Sequence, residues 1–471
     1  MTTGAVPHAF HVMSKPTGAI CNLDCEYCFF LSKEELYPGS GFRMDAAVHE
    51  AYVRQLLAAQ RGLDEIVVAF QGGEPTLMGL DFFRRSLELE RQYAPAGQRI
   101  LNTVQTNATL IDDEWAEFLR ANDFLVGVSI DGPREMHDAY RVDKGGKPTY
   151  DRVLRGLDAL KRHGVDWNAL TTVNAANGDH GREVYTFLRD ELGATFVQLI
   201  PIVERVTPEL LPLAESGWGH RPGARPLYRQ EGDLVTHRTV GAGQYGQFLI
   251  DVFEEWARHD VGDVFVSMFD TALAHWMGMH QVGLCVHAQT CGNAVALEHN
   301  GDLYSCDHYV EPRYRLGNIV EGRTLLQLVD SPQQRAFGQS KADTLPAYCR
   351  ACDVRFACNG GCPKDRFLHT PDGEPGLHYL CPSYQAFFRH VDEPMRVMAG
   401  LLRRGRDAVG LREWYAAGDA RRKPDDPCTC TTGRSWSECH GLPQPPATPD
   451  RRAQGGPTGP ASPGRPRRRP R

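Results

Sequence analysis

The sequence predicts an α/β protein: a parallel sheet in the first 260 residues, followed by a smaller, cysteine-rich domain. Three features of the 471-residue chain carry this expectation. Short apolar runs alternate six times with amphipathic helical patterns. Polar, glycine-containing motifs follow several of those runs directly. Eight of the fourteen cysteines fall between Cys285 and Cys381.

The apolar runs predict strands at Phe10–Met13, Glu65–Phe70, Ile100–Gln105, Phe124–Ile130, Trp167–Val173 and Thr195–Pro201. Helical periodicity covers Asp45–Gln60, Leu80–Tyr93, Asp112–Ala121, Tyr150–Arg162, Gly181–Leu192 and Gln244–Arg258. Parallel strand–helix units join by right-handed crossovers and place ligands at the carboxyl ends of the strands. Glu204–Thr239, rich in Pro, Gly, Arg and His, interrupts the last unit. It reads as a long insertion near the mouth of the site, functional or disordered, that could alter substrate access.

Composition sets outer bounds. Hydrophobic content of 41% with 24% charged residues is that of a globular chain. A net charge of −7 argues against a nucleic-acid partner. The first residues lack a basic segment followed by an apolar run, and no stretch is apolar enough to span a membrane. The fourteen cysteines therefore read as metal or redox chemistry in a cytoplasmic protein, not as disulfides.

Cys21, Cys25 and Cys28 stand at the spacing C-x3-C-x2-C. Thiolates are the usual ligands of iron–sulfur clusters, and three of them on a four-iron cubane leave one iron open. An open coordination position is what a catalytic metal site keeps for a small molecule. Packing of three core cysteines on one helical face is the plain alternative, but the intervening Asn, Asp and Glu make a poor core stripe.

This motif, with Tyr27 before its last cysteine, resembles the signature of the radical S-adenosylmethionine (SAM) enzymes. The resemblance implies a partial (β/α)6 barrel of the TIM type. It implies a 4Fe–4S cluster on Cys21, Cys25 and Cys28, SAM chelating the open iron, and cleavage of SAM to a 5′-deoxyadenosyl radical. Gln71-Gly72-Gly73-Glu74 is similar to the motif that holds the SAM amino group. The SAM-binding set implied by the family is then Tyr27, Gly72, Gly73, Glu74, Ser129, Asp131, Arg141 (toward the SAM carboxylate) and Val203 (at the adenine). The residues by themselves permit this, since glycines admit close backbone approach and a carboxylate can bind an ammonium group. A simple turn at Gly72–Gly73 and helix capping by Ser129 or Asp131 are the bland alternatives.

Farther on, Cys349, Cys352, Cys358 and Cys362 form a run tighter than two separated zinc pairs, although C-x2-C pairs also serve zinc. The run resembles the SPASM auxiliary-cluster domain. That resemblance implies one cluster on Cys285, Cys291, Cys306 and Cys362 and another on Cys349, Cys352, Cys358 and Cys381, hence three 4Fe–4S clusters in all. Gly301–Tyr309, Gln105–Asn107, Ser129–Arg141 and Leu316–Ile319 narrow the likeness to the anaerobic sulfatase-maturating enzymes, from about Phe10 to Cys381. That family implies oxidation of a Cys or Ser of a sulfatase polypeptide to formylglycine, with Asp307 as general base. It also implies an electron donor such as flavodoxin or ferredoxin. A carboxylate beside a cluster and an apolar pocket is expected to have its proton affinity raised, which suits a base. Phe30 stands where many relatives carry Tyr.

Near the C-terminus, Cys428, Cys430, Cys439 and His440 read C-x-C-x8-C-H, a set suited to tetrahedral zinc and similar to the SEC-C motif. Gly441–Arg471, with nine Pro, five Gly, seven Arg and one acid, cannot bury a core and is expected to be disordered. The expected domains are a barrel at 1–260, SPASM at 261–400, a linker and zinc motif at 401–440, and a tail at 441–471. Two other readings compete. One is a SPASM maturase forming thioether or carbon crosslinks in another ribosomal peptide. The twenty residues before Cys21 leave it no room for an N-terminal peptide-binding domain. The other is a non-catalytic iron–sulfur carrier or zinc adaptor, which gives no reason for a three-cysteine site beside Gly72–Glu74.

Overall fold

The computed structural model describes residues 9–218, 225–279, 283–430 and 432–439. Six strands appear in the expected order: β1 (His11–Lys15), β2 (Glu65–Phe70), β3 (Arg99–Thr106), β4 (Leu125–Ser129), β5 (Asp166–Val173) and β6 (Phe196–Pro201). Each pairs with the next in parallel. Helices Ala46–Ala59, Leu80–Tyr93, Asp113–Ala121 and Tyr150–Arg162 make the crossovers and bury one apolar stripe each, such as Leu56 with Leu57 and Leu157 with Leu160. The helix after β5, Gly181–Thr186, continues as a π turn through Phe187–Glu191. Helix starts are fixed locally. The Asp45 carboxylate accepts from the Val48 amide (2.8 Å), and that of Asp112 from the Trp115 amide (3.0 Å). This is the α/β architecture with a parallel-sheet core.

The described residues of the insertion, 204–218 and 225–239, are folded. β7 (Arg205–Val206) pairs antiparallel with β8 (Leu234–Val235), and Leu211–Glu215 is helical between them. Val206, Ala214, Trp218 and Tyr228 form a small apolar core. Beside it the buried Glu204 carboxylate accepts from Trp218 Nε1 (2.5 Å), Thr236 Oγ1 (2.6 Å) and Arg238 Nε (2.9 Å). Arg238 is fully buried and also donates to the Ala214 carbonyl (2.8 Å). The insertion docks on the turn Leu31–Leu36, where Lys33 Nζ donates to the Tyr228 carbonyl (2.6 Å) and the Tyr228 amide donates to Ser32 Oγ (2.9 Å).

Beyond the insertion, β9 (Phe265–Val266) adds to β6 in parallel and leads into the helix Ser267–Trp276. β10 (Ala294–Glu298) then returns to pair in parallel with β1, and β11 (Asp302–Tyr304) and β12 (Arg315–Asn318) follow antiparallel. The result is one ten-stranded sheet in the order β12-β11-β10-β1-β2-β3-β4-β5-β6-β9. The chain separates into two compact units, Met1–Gly418 and Asp419–Arg471, and the sheet runs on through residue 260 within the first. Among the described residues no helix is long and apolar enough to cross a membrane.

Replacing Arg238 with Met leaves the Glu204 carboxylate buried without its cation, at a cost of about 3–5 kcal/mol. Hydrogen exchange should accelerate through Glu204–Thr239 while the amides of β2 to β5 keep their protection. Uniform acceleration would show that the insertion is not a separate stability unit.

Candidate functional site

The cysteine loop and the glycine motif are built on each other. The Gly73 amide donates to the Gly18 carbonyl (2.9 Å) and the Glu74 amide to the Ile20 carbonyl (3.0 Å). A Cβ on Gly73 would stand 2.0 Å from the Ile20 oxygen, so only glycine admits the backbone that runs into Cys21. Glu74 is fully buried. Its Oε1 accepts from Thr76 N (3.1 Å), Thr76 Oγ1 (2.6 Å) and Thr106 Oγ1 (2.8 Å), and its Oε2 accepts from Asn107 N (2.8 Å). Both oxygens are thus engaged by the chain, which fixes the end of β2 to the end of β3. Asn107 Nδ2 continues the network to Asn22 Oδ1 (2.8 Å) and lies 3.7 Å from Cys21 Sγ.

The end of β4 carries a second buried knot. Arg141 donates through Nε and Nη2 to Asp131 (2.8 and 3.1 Å), Thr172 N donates to Asp131 Oδ1 (3.0 Å), and the Tyr27 hydroxyl donates to Asp131 as well. Burial alone would raise the Asp131 pKa, but the Arg141 guanidinium more than offsets it and holds the carboxyl below the usual range. Arg141 Nη1 takes no acceptor among the described residues. Ser129 Oγ accepts from Gln105 Nε2 (3.0 Å), and Val203 is buried just past β6.

Asp307 opens the turn Asp307–Tyr309 and meets Lys15, the last residue of β1, at 2.5 Å. The Lys15 ammonium also sits 3.9 Å from the centre of the Phe30 ring. The expectation of a raised proton affinity for Asp307 is corrected here. Burial does push it up, but Lys15, His308 and Lys33 together hold it below the usual carboxylate range.

The remaining cysteines form sets. Cys349, Cys352, Cys358 and Cys381 line one small cavity together with His378 and Gln385. Cys306 and Cys362 lie within each other's electrostatic reach, as do Cys285 with Cys291 and Cys362 with Cys291. Burial pushes the thiols of Cys25, Cys358 and Cys362 up to about 12 and that of Cys381 to about 11. Thiols gathered in such surroundings ionise readily only around a cationic centre, so the donor sets fit metal clusters bound through sulfur.

Comparison with known proteins agrees with this geometry. The radical SAM superfamily model matches residues 16–188, and the SPASM iron–sulfur cluster-binding domain matches residues 285–353. A serine-type anaerobic sulfatase-maturating enzyme of Bacteroides thetaiotaomicron is 43% identical over 391 residues, 82% of this chain and 91% of the relative. The chain belongs to the anaerobic sulfatase-maturating enzymes. A cysteine-type member from Clostridium perfringens is 32% identical over 384 residues, 81% of this chain and 95% of its own. The solved structure of anSMEcpe with bound AdoMet and Cp18Cys peptide has a TM-score of 0.69 and 30% identity, covering 83% of this chain and 98% of that one. The protein is therefore a radical SAM oxidoreductase with a SPASM iron–sulfur domain.

For this sulfatase-maturating enzyme, the sequence missed Lys15 and Asn22 as builders of the site. A lysine ending an apolar strand was the available signal for Lys15. In the Asp419–Arg471 unit, the buried Cys428, Cys430 and Cys439 bring their sulfurs within 4.8 Å of one another. His440 and residues 441–471 lie outside the described residues.

Gly73→Ala should displace the loop that carries Cys21. The reconstituted variant is expected to lose the iron bound by Cys21, Cys25 and Cys28 while retaining iron at the SPASM cysteines, read by iron content and electron paramagnetic resonance. Unchanged iron content would refute the close-approach argument.

Proposed function

We propose that this enzyme oxidises a Cys or Ser side chain of a sulfatase polypeptide to formylglycine, with Asp307 as the general base. The observation that carries the reading is the pairing of β10 with β1, which draws the segment after Cys306 back to Lys15 at the head of the cysteine loop. The names of its relatives and the peptide bound to anSMEcpe support it. Cys21, Cys25 and Cys28 would hold the SAM-binding cluster. Cys285, Cys291, Cys306 and Cys362 would hold one auxiliary cluster, and Cys349, Cys352, Cys358 and Cys381 the other. When bound, these groups supply a 5′-deoxyadenosyl radical for the substrate Cβ hydrogen and an acceptor for the electron left behind.

The chain's own residues do the rest. The Gly72–Glu74 backbone, Tyr27, Ser129, Asp131, Arg141 through its remaining Nη1, and Val203 frame SAM. Lys15 keeps Asp307 ionised at neutral pH, so the base is always available for the substrate thiol or hydroxyl proton. A low-pKa base is enough, because losing the Cβ hydrogen atom makes that proton far more acidic. Serine would then give the aldehyde directly, and cysteine a thioaldehyde that water converts to the aldehyde with loss of hydrogen sulfide. The enzyme works in the cytoplasm and draws electrons from a flavodoxin or ferredoxin. In the C-terminal unit, Cys428, Cys430 and Cys439 with His440 hold one zinc ion.

The test is anaerobic incubation of the reconstituted full chain with SAM, reductant and paired peptides that differ only in Cys or Ser at the target. Aldehyde product with deoxyadenosine is expected, and Asp307→Asn should cut product at least ~100-fold while deoxyadenosine continues to form. Deoxyadenosine without aldehyde from either peptide would overturn the substrate assignment. For the C-terminal metal, the double variant Cys428→Ser/Cys430→Ser should lose one zinc per chain with its iron unchanged. Equal zinc content in both proteins would remove that site.

A further inference from the structure

The helix Pro332–Asp343 turns one stripe, Gln334, Gly338 and Lys341, onto three of the cysteine loops. Gln334 Nε2 donates to the carbonyls of Gly292 (2.9 Å) and Ser305 (3.1 Å), flanking Cys291 and Cys306. The Cys291 amide donates to the Gly338 carbonyl (3.0 Å), and a Cβ at Gly338 would stand 2.6 Å from the Cys291 oxygen. Lys341 is fully buried and donates from Nζ to the carbonyls of Cys285 (2.8 Å) and Val286 (2.9 Å). Arg366 completes the arrangement. It donates to the carbonyls of Gly360 (2.8 Å), Asn359 (3.0 Å), Gly361 (3.3 Å) and Lys341 (2.7 Å), gripping the segment between Cys358 and Cys362.

Neither cation has a carboxylate within 4.0 Å among the described residues. Lys341 lies within electrostatic reach of Cys291, Cys362 and Cys285, and Arg366 within reach of Cys349, Cys362, Cys291 and Cys358, groups that become anionic on binding a metal cluster. A charge taken out of water without a counter-ion is costly, and Lys341 is fully buried and Arg366 half-buried, so these two positions call for an anion supplied from elsewhere. A cluster held by four thiolates is an anion, and reduction makes it more negative.

We propose that Lys341 and Arg366 are built-in counter-charges of the auxiliary clusters that raise their reduction potentials. Lys341 acts on the cluster of Cys285, Cys291, Cys306 and Cys362, and Arg366 acts on both. This rests on the ligand sets given under the proposed function. By favouring the reduced form, the two cations make the auxiliary centres better acceptors for the substrate's electron.

The experiment is a redox titration followed by electron paramagnetic resonance on the full chain, with Cys21, Cys25 and Cys28 replaced by Ser to silence the first cluster. Lys341→Gln keeps a donor for the two carbonyls but removes the charge, and should move one auxiliary signal to more negative potential. Arg366→Gln should move both, and Lys341→Arg should stay near the parent value. Unmoved potentials in Lys341→Gln at full iron content would overturn the inference, as would an equal shift in Lys341→Arg. Should Lys341→Gln lose iron, Arg366→Gln is decisive alone: both potentials must fall. A parent protein lacking two auxiliary signals would instead refute the ligand sets.

Discussion

The carboxylate of Glu74 receives four hydrogen bonds at the carboxyl ends of β2 and β3, and among the described residues no cation pairs with it. Burial pushes its proton affinity up, and the donors from Thr76, Asn107 and Thr106 pull it down without fully compensating. Oε2 depends on the Asn107 amide alone, so losing that donor would leave a buried oxygen unsatisfied, which costs more than the bond itself contributes. The surrounding geometry is therefore over-determined. The position of Glu74 fixes Gly73, Gly73 fixes the Gly18–Ile20 backbone, and that backbone aims Cys21. A residue that reads in sequence as a ligand contact is, in the fold, also the anchor from which the cysteine loop hangs.

Buried ion pairs recur around this anchor: Asp131 with Arg141, Asp307 with Lys15, Glu204 with Arg238. Such pairs add little net stability, because desolvation offsets most of their attraction. Their effect is positional. Each carboxylate belongs to a different part of the site: the β4 end, the segment after Cys306, and the insertion. Lys15 and Arg141 reach their carboxylates from other segments of the site, while Arg238 closes the two ends of the insertion on each other. Phe30 fits the same pattern. Its ring lies under the Lys15 ammonium, and a hydroxyl is not needed for that contact.

The barrel was legible because its strands and helices announce themselves locally. Leu80–Tyr93 and Tyr150–Arg162 are helical over the residues their periodicity indicated, and Glu65–Phe70 is the strand its apolar run indicated. β1 runs two residues past its apolar run, through Ser14 and Lys15, since β10 covers a polar stretch that nothing nearby marks as buried. β9 is two residues long and gives no periodic signal. The insertion looked loop-like because its order rests on a buried polar knot and a four-residue core, not on periodicity. The cysteine motif was legible from spacing alone. Lys15 was not, because its partner Asp307 lies nearly three hundred positions away in the chain.

The state of Asp307 also bears on which side chain the enzyme can take. A free thiol ionises near 8.5, whereas a serine hydroxyl does not ionise in water at any accessible pH. Lys15 holds Asp307 ionised across the neutral range. On the role proposed for Asp307, discrimination between Cys and Ser does not lie in the charge state of the base. It falls to the walls that position the substrate Cβ. The insertion docks on the turn Leu31–Leu36, and its Arg225 pairs with Asp24 between Cys21 and Cys25 (2.8 Å), so its shape bears directly on the site.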